Sequence, residues 1–117
     1  MLITYVLLSC SMVLVRDYVD ETGYSPFRAW FGSLDGQAAI KVTVALERIA
    51  MGHTSAMKAL GDGVSEYKID FGPGYRIYFG RDGERLVILV GGGTKKRQQK
   101  DIANAKMVWK DYKRRRV

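Results

Sequence analysis

Two short runs of strict alternation flank a Gly-Pro-Gly turn, and they restrict the chain more than any other stretch. Tyr67, Ile69 and Phe71 alternate with Glu66, Lys68 and Asp70; after Gly72, Pro73 and Gly74, Tyr75, Ile77 and Phe79 alternate with Arg76 and Tyr78. A period of two predicts a strand on each side, and the turn residues predict that the strands pair as an antiparallel hairpin. With those three residues as the loop, Phe71 falls opposite Tyr75, Ile69 opposite Ile77 and Tyr67 opposite Phe79, so one face is wholly apolar and belongs to a core. The same register sets Asp70 opposite Arg76 and Lys68 opposite Tyr78, with Glu66 close by. The other face then collects two cations, two carboxylates and a phenol. That is either the solvated side of an ordinary sheet or a small concave site.

At 117 residues the chain has length for one core. A composition 47% hydrophobic and 26% charged is that of a folded domain rather than a disordered one. The formal charge of +7 is unevenly placed: residues 94–117 hold ten Lys or Arg against Asp101 and Asp111, leaving nine cations and ten anions in the first 93 residues. Clustered cations of this kind favour polyanions such as RNA or DNA, or else form a solvated terminal helix. Cys10 is the single cysteine, which excludes an intrachain disulfide framework and suits a reducing compartment. With one Cys and one His no zinc site is expected, and His53 lies in a loop-like run where nothing positions it for catalysis.

The apolar run from Leu2 to Val15 is too short for a membrane span and lacks the basic leader of a secretory signal; Leu7-Leu8-Ser9-Cys10 resembles a lipoprotein cleavage box only faintly. Met12 offers a natural start, so residues 1–11 are read as an extension and 12–117 as a single domain. Val13 to Val19 is then the first strand, at or near a sheet edge. Ser25-Pro26 begins a short helix, with Phe27, Trp30, Phe31 and Leu34 on one face. Asp35 caps a second helix over Gln37 to Met51, and the two form an αα-hairpin. A polar loop runs from Gly52 to Gly63. The central hairpin follows, then a turn at Arg81-Asp82-Gly83-Glu84, and then Leu86 to Val90, whose five aliphatic residues suit a strand covered on both faces. Gly91-Gly92-Gly93-Thr94-Lys95 does not match a phosphate-binding loop, although three glycines let backbone amides approach a phosphate. A last helix, about Arg97 to Arg115, docks a stripe of Ile102, Ala105, Trp109 and Tyr112. Lys106, Lys110 and Lys113 flank the stripe, and Lys100 and Arg114 lie behind it. The expected class is α+β: an N-terminal strand, an αα-hairpin, a three-stranded antiparallel meander and a basic C-terminal helix, with the helices on one face of one small sheet.

Phe27-Arg28-Ala29-Trp30, Gly63-Val64-Ser65-Glu66, the run from Gly72 to Phe79, Gly92-Gly93-Thr94-Lys95 and Gln99-Lys100-Asp101-Ile102 with Ala105-Lys106, in this order of elements, resemble the RelE/ParE superfamily of bacterial toxins. The resemblance runs from Met12 to about Tyr112 and is strongest to the branch called addiction module killer proteins, the Gp49-like or HigB-like group. It implies a RelE-like fold and a cytoplasmic protein paired with a small helix-turn-helix antitoxin. It implies cleavage of mRNA on the ribosome, by attack of a ribose 2′-hydroxyl on the adjacent phosphate, with no metal or cofactor and no membrane partner. Under that resemblance Lys68, Arg76 and Glu66 are the catalytic candidates. Arg76 would clamp the phosphate, Lys68 would stabilise charge or accept a proton, and Glu66 would be an alternative base. Lys95, Lys96, Lys100 and Tyr78 would bind RNA, the tyrosine by contact with a base. The family often has Arg where this chain has Lys68, and the catalytic tyrosine or histidine near the end of some members has no counterpart here, Tyr112 being read as a packing residue. ParE-like members share the fold and poison DNA gyrase instead, which is the alternative function. An antitoxin is expected to cover the basic face formed by residues 97–117.

Overall fold

The computed structural model describes residues 13–53 and 55–116; the extension expected over residues 1–11, with Cys10, lies outside them. In chain order the elements are β1 (Leu14–Asp17), α1 (Pro26–Gly32), α2 (Gly36–Ala50), β2 (Met57–Gly61), β3 (Val64–Ile69), β4 (Tyr75–Arg81), β5 (Leu86–Thr94), a 3-10 turn (Lys95–Arg97) and α3 (Gln98–Arg115). The fold is α+β, built on one five-stranded mixed sheet in the order β1-β5-β4-β3-β2.

Local signals set the helices where the residues predict them. Ser25 Oγ accepts from the Arg28 amide at 3.1 Å and Pro26 opens α1. Asp35 Oδ1 accepts from the Ala38 amide at 2.9 Å and caps α2. Each cap satisfies an amide that the first helical turn leaves without a partner.

The meander has four antiparallel strands rather than three, because the stretch expected as a loop contains β2. Met57, Lys58 and Ala59 are weak strand formers, and β2 is an edge strand held only by β3. The turn that joins them, Gly61-Asp62-Gly63, has positive φ at all three residues (92°, 56° and 85°), and Asp62 is the one non-glycine residue in that region among those described. At the opposite edge β1 pairs with β5 in parallel, Leu14 facing Leu86 and Asp17 facing Leu89.

The central hairpin forms, but in a register two residues away from the expected one. Lys68 stands opposite Arg76, Glu66 opposite Tyr78, Tyr67 opposite Ile77 and Ile69 opposite Tyr75. Asp70 and Phe71 leave the ladder and lengthen the loop, in which the Gly74 amide donates to the Phe71 carbonyl at 3.0 Å. Glycines 72 and 74 take the positive φ this wider loop needs, 55° and 81°. A shift of two keeps every side chain on its expected face, where a shift of one would have inverted the hairpin.

The helices do not share one face. Tyr67, Ile69, Ile77, Phe79, Val87 and Leu89 pack against Phe27, Val42 and Ile49 of the helical pair. Val64, Tyr78, Ile88 and Val90 pack against Ala105 and Trp109 of α3 on the other side. The aliphatic run in β5 is the cause: Val87 and Leu89 point one way and Ile88 and Val90 the other, so both faces need cover. The glycines after it continue β5 instead of forming a loop. Gly92 lies opposite Ile77 and Gly93 opposite Arg76. A Cβ on Gly92 would overlap the Trp30 ring, and one on Gly93 would overlap the Asp101 carboxylate. Their smallness serves packing.

Candidate functional site

The site lies on the α3 face of the hairpin. Glu66 and Lys68 on β3 and Arg76 and Tyr78 on β4 share that face, since residues directly opposite in an antiparallel ladder project to the same side. Lys68 and Arg76 therefore emerge together as expected. Their surroundings differ sharply. The Lys68 side chain is 53% exposed and lies 3.7 Å from Asp70, whereas that of Arg76 is 6% exposed.

The first turn of α3 covers Arg76. Its Nε lies 3.4 Å from Glu66 Oε1, and the same oxygen accepts from Gln98 Nε2 at 2.9 Å. Glu66 is itself 4% exposed. It thus ties strands and helix together through one carboxylate. Arg76 Nε and Nη1 are buried without a hydrogen-bond partner among the described residues, and so is the Tyr78 hydroxyl. Burial pushes the Tyr78 phenol well above its ordinary pKa, and the negative charges of Glu66 and Asp101 add to the effect. Expectations of an accessible phosphate clamp at Arg76, an accessible base at Glu66 and a base-binding phenol at Tyr78 thus meet a closed arrangement. The cause is the placement of α3 on this face and not on the other.

Asp101, one turn into α3, is a member of the site that residue patterns did not single out. Its carboxyl sits in the notch left by Gly93, beside Arg76 in the ladder. Desolvation raises its pKa, while Arg97 and Lys100 oppose the shift. The pairing of a glycine that permits close approach with an acid at the start of a helix was the available signal.

The remaining candidates come together at the surface. Lys95, Lys96 and Lys100 are exposed and, with Arg97, Gln98 and Gln99, line a shallow depression of about 540 Å³. The Lys95 amide donates to the Gly74 carbonyl at 2.9 Å, which fixes this segment beside the hairpin loop. Arg97, missed as a binding residue, belongs to this cluster. His53 is exposed. Among the described residues no group of three or more His, Cys, Asp or Glu is arranged to hold a metal, and no helix is long and apolar enough to cross a membrane.

At its far end α3 is anchored by two phenols. The Tyr112 hydroxyl donates to Asp82 at 2.5 Å. The Tyr18 hydroxyl donates to Asp111, which holds that carboxylate below its usual range. Trp109 lies between them and the cover, against Gly63 and Gly80, where a Cβ would overlap its ring.

No protein-family model matches the chain. Over 83 residues it is 37% identical to a protein of Haemophilus influenzae that carries the description "Uncharacterized protein", an alignment spanning 70% of this chain and 84% of that one. With identity at that level over most of both lengths, the chain belongs to the same family as the Haemophilus influenzae protein.

Proposed function

We propose that the chain is the toxin of a type II toxin-antitoxin pair, of the RelE/ParE kind and the addiction module killer branch, acting in the cytoplasm as a ribosome-dependent mRNA endoribonuclease. The observation that carries this reading is the juxtaposition of Lys68 and Arg76 across one ladder rung, beside the cationic depression at Lys95 to Lys100. Lys68, Lys95, Lys96 and Lys100 hold phosphates. A ribose 2′-oxygen attacks the adjacent phosphorus, the bond to the 5′-oxygen breaks, and a cyclic phosphate remains. The charge that develops on the phosphorane oxygens needs cations in fixed positions, and two proton transfers need an acceptor and a donor. Lys68 is the exposed group able to serve at once. Arg76 and Glu66 would reach RNA only with the first turn of α3 displaced from them. No metal or cofactor enters this scheme, and the partner is a helix-turn-helix antitoxin.

The gyrase-directed alternative has one observation in its favour: with Glu66, Arg76 and Tyr78 buried, Lys68 is the single catalytic candidate at the surface. A toxin that binds without breaking a bond needs no more. Induction in cells, followed by mapping of RNA 5′ ends, separates the two. Codon-positioned cuts that vanish in a Lys68→Ala, Lys95→Ala, Lys96→Ala variant support the nuclease. A DNA-damage response without such cuts assigns the protein to the gyrase class, and growth unaffected by induction removes both.

A further inference from the structure

Three more lysines lie outside the site just described, on the flank of α3 that faces the β2 edge. Lys106, Lys110 and Lys113 line a depression of about 430 Å³ with Asp62, Met107 and Trp109. On an α-helix the rise from the first to the last of them is about 10 Å, and from Gln98 to Lys113 about 22 Å. Lys58 on β2 stands across from Glu66, so it projects to the face that α3 covers, and it is exposed. Lys68 is the next cation on that face, one strand over. The cations on this side of the sheet are thus Lys95 and Lys96 ahead of α3, Lys68 and Lys58 on the strands it crosses, and Lys106, Lys110 and Lys113 on the helix itself. The acid lining the lower depression, Asp62, is paired with Lys106 at 3.4 Å.

We infer that this row of cations is a track for the backbone of an extended single-stranded RNA, held at its lower end by Lys58, Lys106, Lys110 and Lys113. The inference rests on the proposed action on RNA and extends it to nucleotides away from the cleaved bond. Trp109 is 3% exposed and Lys113 Nζ lies 5.9 Å from its ring, so the aromatic surface is used inside the protein and does not stack on bases. Recognition along the track is by charge alone, indifferent to sequence and sensitive to salt. An acidic peptide would meet the same lysines. Beside the exposed Met107 the lower depression is lined by three lysines and one acid already paired, and with RNA as the proposed substrate that excess of positive charge favours the polynucleotide.

The test uses the full chain and fluorescein-labelled oligouridylates of 12 and 4 nucleotides, read by anisotropy over a range of KCl. Lys58→Ala, Lys106→Ala, Lys110→Ala and Lys113→Ala combined are expected to weaken the 12-mer at least tenfold. They should also flatten the slope of log affinity against log salt by about 2 to 3, at roughly 0.7 for each phosphate no longer neutralised, while leaving the 4-mer unchanged. The same four positions as Arg should retain binding, a recovery that damage to the fold would not give. Unchanged 12-mer affinity and slope in the Ala variant overturn the track, as does a 12-residue polyglutamate that binds as tightly as the RNA. Failure here leaves the nuclease reading intact if codon-positioned cuts are found in cells. Loss of 12-mer binding without such cuts keeps the track and removes the nuclease.

Discussion

Lys68 and Arg76 face each other across a single rung of the β3–β4 ladder, one side chain half in solvent and the other sealed beneath α3. Removing them has unlike consequences. Arg76→Ala strands the buried Glu66 carboxylate and is expected to lower the unfolding free energy by about 3–5 kcal/mol. Lys68→Ala should stay within about 0.5 kcal/mol of the parent. Urea unfolding measures both. Arg76→Met combined with Glu66→Leu should recover most of the stability, because two apolar groups leave no charge unpaired. A loss below about 1 kcal/mol in Arg76→Ala would mean that Glu66 is not confined as described.

Gln98 is the sole side chain of α3 that hydrogen-bonds to Glu66 among the described residues. Gln98→Ala should therefore loosen the first turn over Arg76. Hydrogen exchange followed by mass spectrometry is expected to show faster labelling of peptides covering residues 95–102, with those at the Trp109 end unchanged. Equal labelling of parent and variant would show that the hydrogen bond does not hold the cover down.

Asp101 provides a pH signature. Its folded pKa is raised, chiefly by desolvation, so the native state binds this proton more tightly than the unfolded chain does. Above the raised value the carboxylate is ionised in both states and the native state bears the desolvation. As pH falls through the raised value the native state takes up its proton and the penalty disappears. Asp101→Asn should accordingly melt above the parent at pH 7, with the gap closing as the acid range is entered. A variant that melts lower at pH 7 would show that Arg97 and Lys100 outweigh burial.

Gly80 and Trp109 form a size-matched pair. A Cβ at position 80 would intrude on the indole, and overpacking of this sort is expected to cost about 1–3 kcal/mol in Gly80→Ala. Combining it with Trp109→Leu should cost less than the sum of the two single changes, which a double-mutant cycle in urea measures. Strict additivity would mean that the two positions do not touch.

Much of the architecture was readable because short-range chemistry is explicit in the residues. Ser25-Pro26 and Asp35 mark helix starts, alternation marks the hairpin, and Leu86 to Val90 asks for cover on two sides. That last signal already contradicted a one-sided arrangement of helices. β2 was hidden because an edge strand need satisfy only one neighbour and can be built from Lys and Ala. The register was misread because Pro73 suggested a tight turn, while Gly72 and Gly74 permit a wider one. For the site, the common side of Lys68 and Arg76 follows from parity, which survives a slip of two. The burial of Arg76 does not follow from parity, since it depends on where a helix more than twenty residues later comes to rest.

The parallel pairing of β1 with β5 has a consequence for how the chain is made. Leu14 finds its partner at Leu86, so the N-terminal edge of the sheet must wait until β5 has left the ribosome. Contacts so distant in sequence carry a large loop-closure entropy and slow the final collapse. During synthesis the helical pair emerges before the strands that will bury its apolar face. Until then the uncovered apolar face of the pair is the kind of surface that chaperones bind.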